Sequence, residues 1–139
     1  KFEHEQMRGF PFKGFYDAVN QEGVDLYSLQ LSDSSHTDVS KYNITDLEKY
    51  LTDWEQTAGA IANLDLVITS CTSIAHLSAA MGKETWVIAP IMAYFTWAVP
   101  GSKSAWYNSV KLIRQEDYSN WDKPFAKVKK ELRIKKCQM

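Results

Sequence analysis

The stretch from Leu64 to Ala89 constrains the fold more than any other. A short β-branched run, Leu64-Asp-Leu-Val-Ile-Thr69, is followed by small and apolar residues at helix period from Ile74 to Met81, with Gly82 as the stop. Thr85-Trp-Val-Ile-Ala89 then reads as a second strand. A strand, a helix and a strand in so short a span form a parallel crossover. Such units are right-handed in nearly every known case, and the helix packs on one face of a buried sheet. The chain is therefore expected to be an α/β domain.

The flanking segments extend that pattern. Phe12, Phe15, Tyr16 and Val19 recur at helical spacing in a segment that ends at Gly23, which predicts a short helix with Gly23 at its end. Val24-Asp-Leu-Tyr-Ser-Leu29 alternates like a strand and ends at Gln30, and residues 31–43 are a turn-rich surface loop. Thr45 stands at capping-box spacing from Glu48. Leu47, Tyr50, Leu51, Trp54, Ala58 and Ile61 follow as one apolar stripe, so a helix is predicted from there to about Asn63. Val110-Lys-Leu-Ile-Arg114 reads as another strand. Trp121 to Lys136 reads as a closing helix, with Phe125, Val128, Leu132 and the stem of Arg133 toward the sheet and the lysines as a solvated face. Pro90 to Asn108 is the one long irregular stretch. It carries Tyr94, Phe95, Trp97, Trp106 and Tyr107, an aromatic density suited to binding.

Composition narrows the classes. With 139 residues, 45% apolar and 24% charged, the chain is one ordinary globular domain over 1–139, and no apolar run is long enough to span a membrane. A net charge of −1, from 16 basic and 17 acidic side chains, offers no field for nucleic acid. Cys71 and Cys137 suggest no disulfide framework, and Lys1-Phe-Glu-His-Glu5 is not a signal sequence, so the cytoplasm is the expected compartment. The absence of an initial Met points to a longer parent, a processed product or a trimmed chain.

In an open parallel sheet, ligands bind beyond the carboxyl ends of the strands. The turn Thr69-Ser-Cys-Thr-Ser-Ile-Ala-His76 joins such a strand end to a helix start, where unpaired N–H groups and the helix dipole attract anions. Thr72 and Ser73 would add hydroxyl donors. His76, four residues past Thr72, lies on the same side of the first turn. The plainer reading makes Thr72 or Ser73 an N-cap and His76 a hydrogen-bonded core residue. Cys71 as a nucleophile paired with His76 ranks below a buried, inert thiol. His4, Glu5 and Arg8 cluster near the start, and His36 lies with Asp33 and Asp38, but neither group has metal-ligand spacing. No Gly-rich phosphate loop or Walker lysine is present.

Asp65-Leu-Val-Ile-Thr-Ser-Cys-Thr-Ser-Ile-Ala-His-Leu-Ser-Ala-Ala-Met-Gly-Lys83, followed by Glu84-Thr-Trp-Val-Ile-Ala-Pro90, resembles the C-terminal domain of heptosyltransferase-like GT-B glycosyltransferases. It is most similar to the glycosyltransferase-like domain that follows tetratricopeptide repeats in bacterial proteins. Phe2-Glu-His-Glu-Gln-Met-Arg8, Leu26-Tyr-Ser-Leu-Gln30, Tyr94-Phe-Thr-Trp97 and Ser104-Ala-Trp-Tyr107 ahead of Arg114-Gln115 support the likeness. The resemblance implies a three-layer αβα, Rossmann-like domain with a mostly parallel sheet, the C-terminal half of a GT-B fold without its first strand. It implies a nucleoside-diphosphate sugar whose diphosphate sits at Thr72, Ser73 and His76, with Cys71 where many members carry Asp. Gln30, Tyr94, Trp97, Trp106 and Arg114 become candidates for contacts to nucleotide or sugar. No metal or other cofactor is required. The implied partners are an N-terminal acceptor-binding or tetratricopeptide domain and, through an unpaired sheet edge, a second copy in a homodimer. The rival expectation is a noncatalytic module for protein contact or anion sensing.

Overall fold

The computed structural model of the chain describes residues 9–31 and 37–138. The order of elements is α1 (Phe12–Val19), β1 (Tyr27–Ser28), β2 (Thr45–Asp46), α2 (Trp54–Ala62), β3 (Val67–Ser70), α3 (Ser73–Ala80), β4 (Thr85–Ala89), β5 (Val110–Arg114) and α4 (Asp122–Lys136). The predicted crossover is present. β3 pairs in parallel with β4, Val67 opposite Thr85, and β4 pairs in parallel with β5, Thr85 opposite Val110. β1 and β2 form a separate two-stranded parallel ladder.

Residue alternation along β4 divides the core into two layers of helices around the sheet. Trp86 and Ile88 join Ile113 of β5 beneath α1 and α4, with Ala18, Val19, Trp121, Phe125, Val128 and Leu132. Val87 and Ala89 join Val110 and Leu112 against Ala75 and Ala79 of α3 and against Trp97. All five residues of β4 are buried, as a strand covered on both faces must be. The domain is thus a Rossmann-like αβα arrangement with parallel strands. The small residues of α3 let it approach the sheet closely enough for Ser78 and Thr85 to share a buried hydroxyl–hydroxyl bond of 2.8 Å. The predicted stop is also realised: Gly82 has φ +73°, a left-handed conformation that costs other residues energy.

Several boundaries depart from the sequence expectations. The helix predicted from Thr45 begins only at Trp54. Thr45 and Asp46 pair instead with Tyr27 and Ser28, Glu48–Tyr50 form a 3₁₀ turn, and the Asp53 carboxylate caps α2 by accepting the Gln56 N–H at 2.8 Å. Of the predicted stripe, Leu51 and Ile61 are buried, but Tyr50 and Trp54 face solvent. The strand expected over Val24–Leu29 contracts to two residues, while Val24 and Leu26 pack on the core and the Leu26 carbonyl accepts from Thr45 N–H at 2.8 Å. β3 begins at Val67 rather than Leu64, because Leu64 still donates to Ile61 O and Lys83 Nζ is held by the carbonyls of Ala62 and Leu64. Gly23 lies beyond the helix end, in a turn closed by Val24 N–H to Gln21 O, and α1 itself stops at Val19. Arg133 is exposed and adds no stem to the core.

The irregular stretch after β4 is organised. It contains a 3₁₀ turn, Phe95–Trp97, and then runs beside β5, where Leu112 N–H donates to Ser102 O at 2.7 Å and Lys103 bridges Lys111 in antiparallel sense. This segment covers part of the side of β5 that faces away from β4.

Candidate functional site

The parallel strands bring the ends of β3, β4 and β5 to one edge of the sheet. The turn after β3 is tight: Thr72 N–H donates to Ser70 O at 2.8 Å, and Thr72 occupies the N-cap position of α3 with extended backbone. Its side chain nevertheless makes no capping bond, and Thr72 Oγ1 lies 3.3 Å from Thr69 Oγ1. Ser73 is exposed. The simple capping reading of Thr72 therefore fails at the side chain. In the first turn Ala75 N–H already donates to Thr72 O at 3.1 Å, which leaves Ser73 and Ile74 as the N–H groups an acceptor from elsewhere could meet.

His76 is half-buried one turn into α3. Its Nδ1 lies 3.0 Å from the Tyr107 hydroxyl, and its ring centre lies 4.8 Å from that of Trp97 and 5.9 Å from that of Tyr107. Trp97 is 1% exposed, so it forms the floor beneath His76 rather than an open platform for a ligand. Tyr94 and Trp106 are the opposite case. Both are exposed by more than half, and each packs near Phe95, at 4.7 Å and 6.5 Å between ring centres. The predicted aromatic surface is thus divided between buried Trp97 with half-buried Tyr107, which support His76, and the exposed trio of Tyr94, Phe95 and Trp106.

Arg114 ends β5, yet its guanidinium is already engaged. Nε donates to Gly101 O at 2.9 Å and the terminal nitrogen donates to Val99 O. Partial burial holds its pKa below the ordinary arginine value, with the nearby Cys71 acting in the opposite direction. Arg114 thereby fastens the aromatic loop. Gln30 lies exposed just past β1, where its N–H donates to Ser28 Oγ. Cys71 is 4% exposed and its thiol points to Ile88 O at 3.9 Å, the environment of an inert core thiol. His4, Glu5, Arg8, Asp33 and His36 lie outside the described residues. Among the described residues no group of three or more His, Cys, Asp or Glu side chains is placed to hold a metal ion.

Two residues with contacts here were given no role at the site by the sequence reading, which counted Tyr107 only among the aromatic rings of the loop. Tyr107 is one. The other is Gln115, which is 6% exposed and joins the ends of β4 and β5: its N–H donates to Ala89 O at 2.9 Å and its Oε1 accepts from Ile91 N–H at 3.1 Å. A polar residue directly after a buried strand was the signal available for Gln115.

A groove of about 790 Å³ opens at the opposite edge, by the amino ends of β4 and β5, and does not touch this site. Its charges are largely satisfied within it: Lys135 pairs with Glu84 at 2.7 Å, Lys111 pairs with Glu131, and Trp86 Nε1 donates to Glu84 at 3.0 Å. For Glu84, partial burial is the largest influence and opposes ionisation, but the hydrogen bonds from Lys135 and Trp86 and the charges of Lys135 and Lys111 outweigh it together. Its pKa therefore falls below the ordinary value. The folded value being the lower one, ionised Glu84 stabilises the fold above the ordinary carboxylate range, and that contribution is lost as pH falls through the folded value. Urea midpoints measured between neutral and acidic pH should show a decline that Glu84→Gln makes shallower. With the side chain 44% exposed, the difference should stay below about 1 kcal/mol.

No described helix is long and apolar enough to cross a membrane. No protein-family model, curated protein or solved structure matches the chain.

Proposed function

We propose that the carboxyl edge of the sheet binds a nucleoside diphosphate, the leaving group of a nucleotide sugar, and that the chain is the donor-binding half of a GT-B glycosyltransferase. The observation carrying this reading is the start of α3: a helix N-terminus at a parallel strand end, with no side-chain cap from Thr72 and with His76 one turn along the same face. Helix N–H groups and the hydroxyls of Thr72 and Ser73 would accept the charge that grows on the diphosphate as a glycosidic bond breaks, and His76 would donate to a phosphate oxygen. The exposed rings of Tyr94 and Trp106 suit a base or the C–H face of a sugar. The acceptor, the N-terminal acceptor-binding or tetratricopeptide domain, and a homodimer belong to the same proposal. A bound metal is not required by it, because the helix dipole and His76 supply the positive potential.

Calorimetric titration with UDP, GDP, ADP and CDP tests the site. One nucleotide should bind saturably, and Thr72→Ala or His76→Ala should weaken it at least about tenfold, roughly 1.4 kcal/mol. Folded protein that binds none of the four would favour a second reading, a noncatalytic module whose partner surface is the exposed Tyr94, Phe95 and Trp106 group.

A further inference from the structure

We infer that Tyr107 is a positioning residue that fixes the tautomer and direction of His76, so that His76 presents an Nε2–H donor to an anion at the start of α3. The anion rests on the diphosphate reading above; the tautomer does not.

The two ring nitrogens of His76 have different surroundings. Nδ1 lies 3.0 Å from the Tyr107 hydroxyl, whereas Nε2 has no hydrogen-bond partner among the described residues. Nor is Nε2 a sealed, unsatisfied atom, since the one buried side-chain polar atom without a partner among them is Thr96 Oγ1. The hydroxyl of Tyr107 has no other bond among the described residues. A phenol is a better donor than acceptor, so its proton points at Nδ1. A neutral imidazole that accepts at Nδ1 carries its own proton on Nε2. The hydrogen bond made by one nitrogen thus sets what the other can offer, as it does for histidines that ligate metals.

The surroundings also hold the ring in place. Trp97 lies under it at 36° between planes and is itself buried, so the imidazole cannot sink. Tyr107 meets it nearly edge-on, at 65°. Tyr107 is anchored in turn: its N–H donates to Ser104 Oγ at 3.2 Å, and its carbonyl accepts from Val110 N–H at the start of β5. A half-turn of the imidazole about its Cβ–Cγ bond would exchange Nδ1 for a carbon and lose the tyrosine bond. One orientation is therefore favoured before any ligand arrives, which reduces the ordering cost of binding.

The test is nitrogen NMR on the full chain with ¹⁵N-labelled histidine, the His76 signals being assigned by their loss in His76→Gln. With its imidazole neutral, His76 should give one pyrrole-like Nε2 and one pyridine-like Nδ1. In Tyr107→Phe, which keeps the ring packing, the Nδ1 signal should move as its hydrogen bond is lost. A protonated Nδ1 in the unmodified chain would overturn the inference without any need of the variant, and so would an Nδ1 signal unmoved in a folded Tyr107→Phe. In parallel, the nucleotide that binds the unmodified chain should bind Tyr107→Phe about three- to tenfold more weakly. Unchanged affinity would overturn the role in binding. The expected tautomer in a chain that binds no nucleotide would uphold the positioning of His76 and sink the diphosphate reading instead.

Discussion

Trp86→Ala is expected to remove about 3–5 kcal/mol of folding free energy, a large part of the roughly 5–15 kcal/mol that holds an ordinary domain together. Trp86 is 2% exposed in the middle strand of the sheet and packs with Ile88, Ile113, Phe125, Val128 and Leu132. Truncation leaves a void that β4, hydrogen-bonded on both sides, cannot collapse to fill. It also withdraws the indole N–H from Glu84 and the ring from beneath Lys111 Nζ, which lies 5.0 Å from the ring centre. A fall in the urea midpoint at constant slope would measure the loss. Trp86→Phe, which keeps most of the ring volume, should cost less than half as much. A change below about 1 kcal/mol for the alanine variant would contradict this account of the core.

The second large effect is expected at Trp97, and it separates two roles for the same residue. As an open ligand contact, Trp97 would give an alanine variant that folds normally and binds poorly. At 1% exposure beneath His76, it should instead cost about 3–5 kcal/mol of stability when truncated, and any loss of nucleotide binding should follow from the collapse of that floor. Trp106→Ala, at 61% exposure, should change stability by no more than about 0.5 kcal/mol. Urea unfolding of the two variants side by side checks both statements. An unshifted midpoint for Trp97→Ala would return that residue to the ligand surface.

The elements that were legible in the sequence are those whose signals are local. β4 has its predicted bounds because a buried central strand is a continuous apolar run, β5 keeps its predicted bounds through Val110, Leu112 and Ile113 on its buried positions, and the end of α3 was marked by Gly82. Residues 45–63 misled because Leu47, Tyr50, Leu51 and Trp54 do recur at helical spacing. What decides their structure is the pairing of Thr45 with Tyr27 and the cap at Asp53, and the former is invisible to any local period. The candidate site divides in the same way. Thr72, Ser73 and His76 are read together because they share one helix turn, whereas Tyr107 reaches His76 across 31 positions of chain. Arg114 was correctly set at a strand end, but its engagement with Val99 and Gly101 depends on where the loop returns.

The connectivity of the ladders bears on how the chain reaches this state. Among the described residues the ladders join strands consecutive in the chain, β1 with β2 and β3 with β4 with β5, so each pairing closes a modest loop. The packing of α1 on α4 is different, for it joins the two ends of the described chain, with Gln21 bonded to the Lys129 carbonyl 108 positions away. Loop-closure entropy therefore favours an order in which the β3-to-β5 sheet and α3 condense first. That order would leave the α1 side of the core, and with it the full enclosure of Trp86, to the last step.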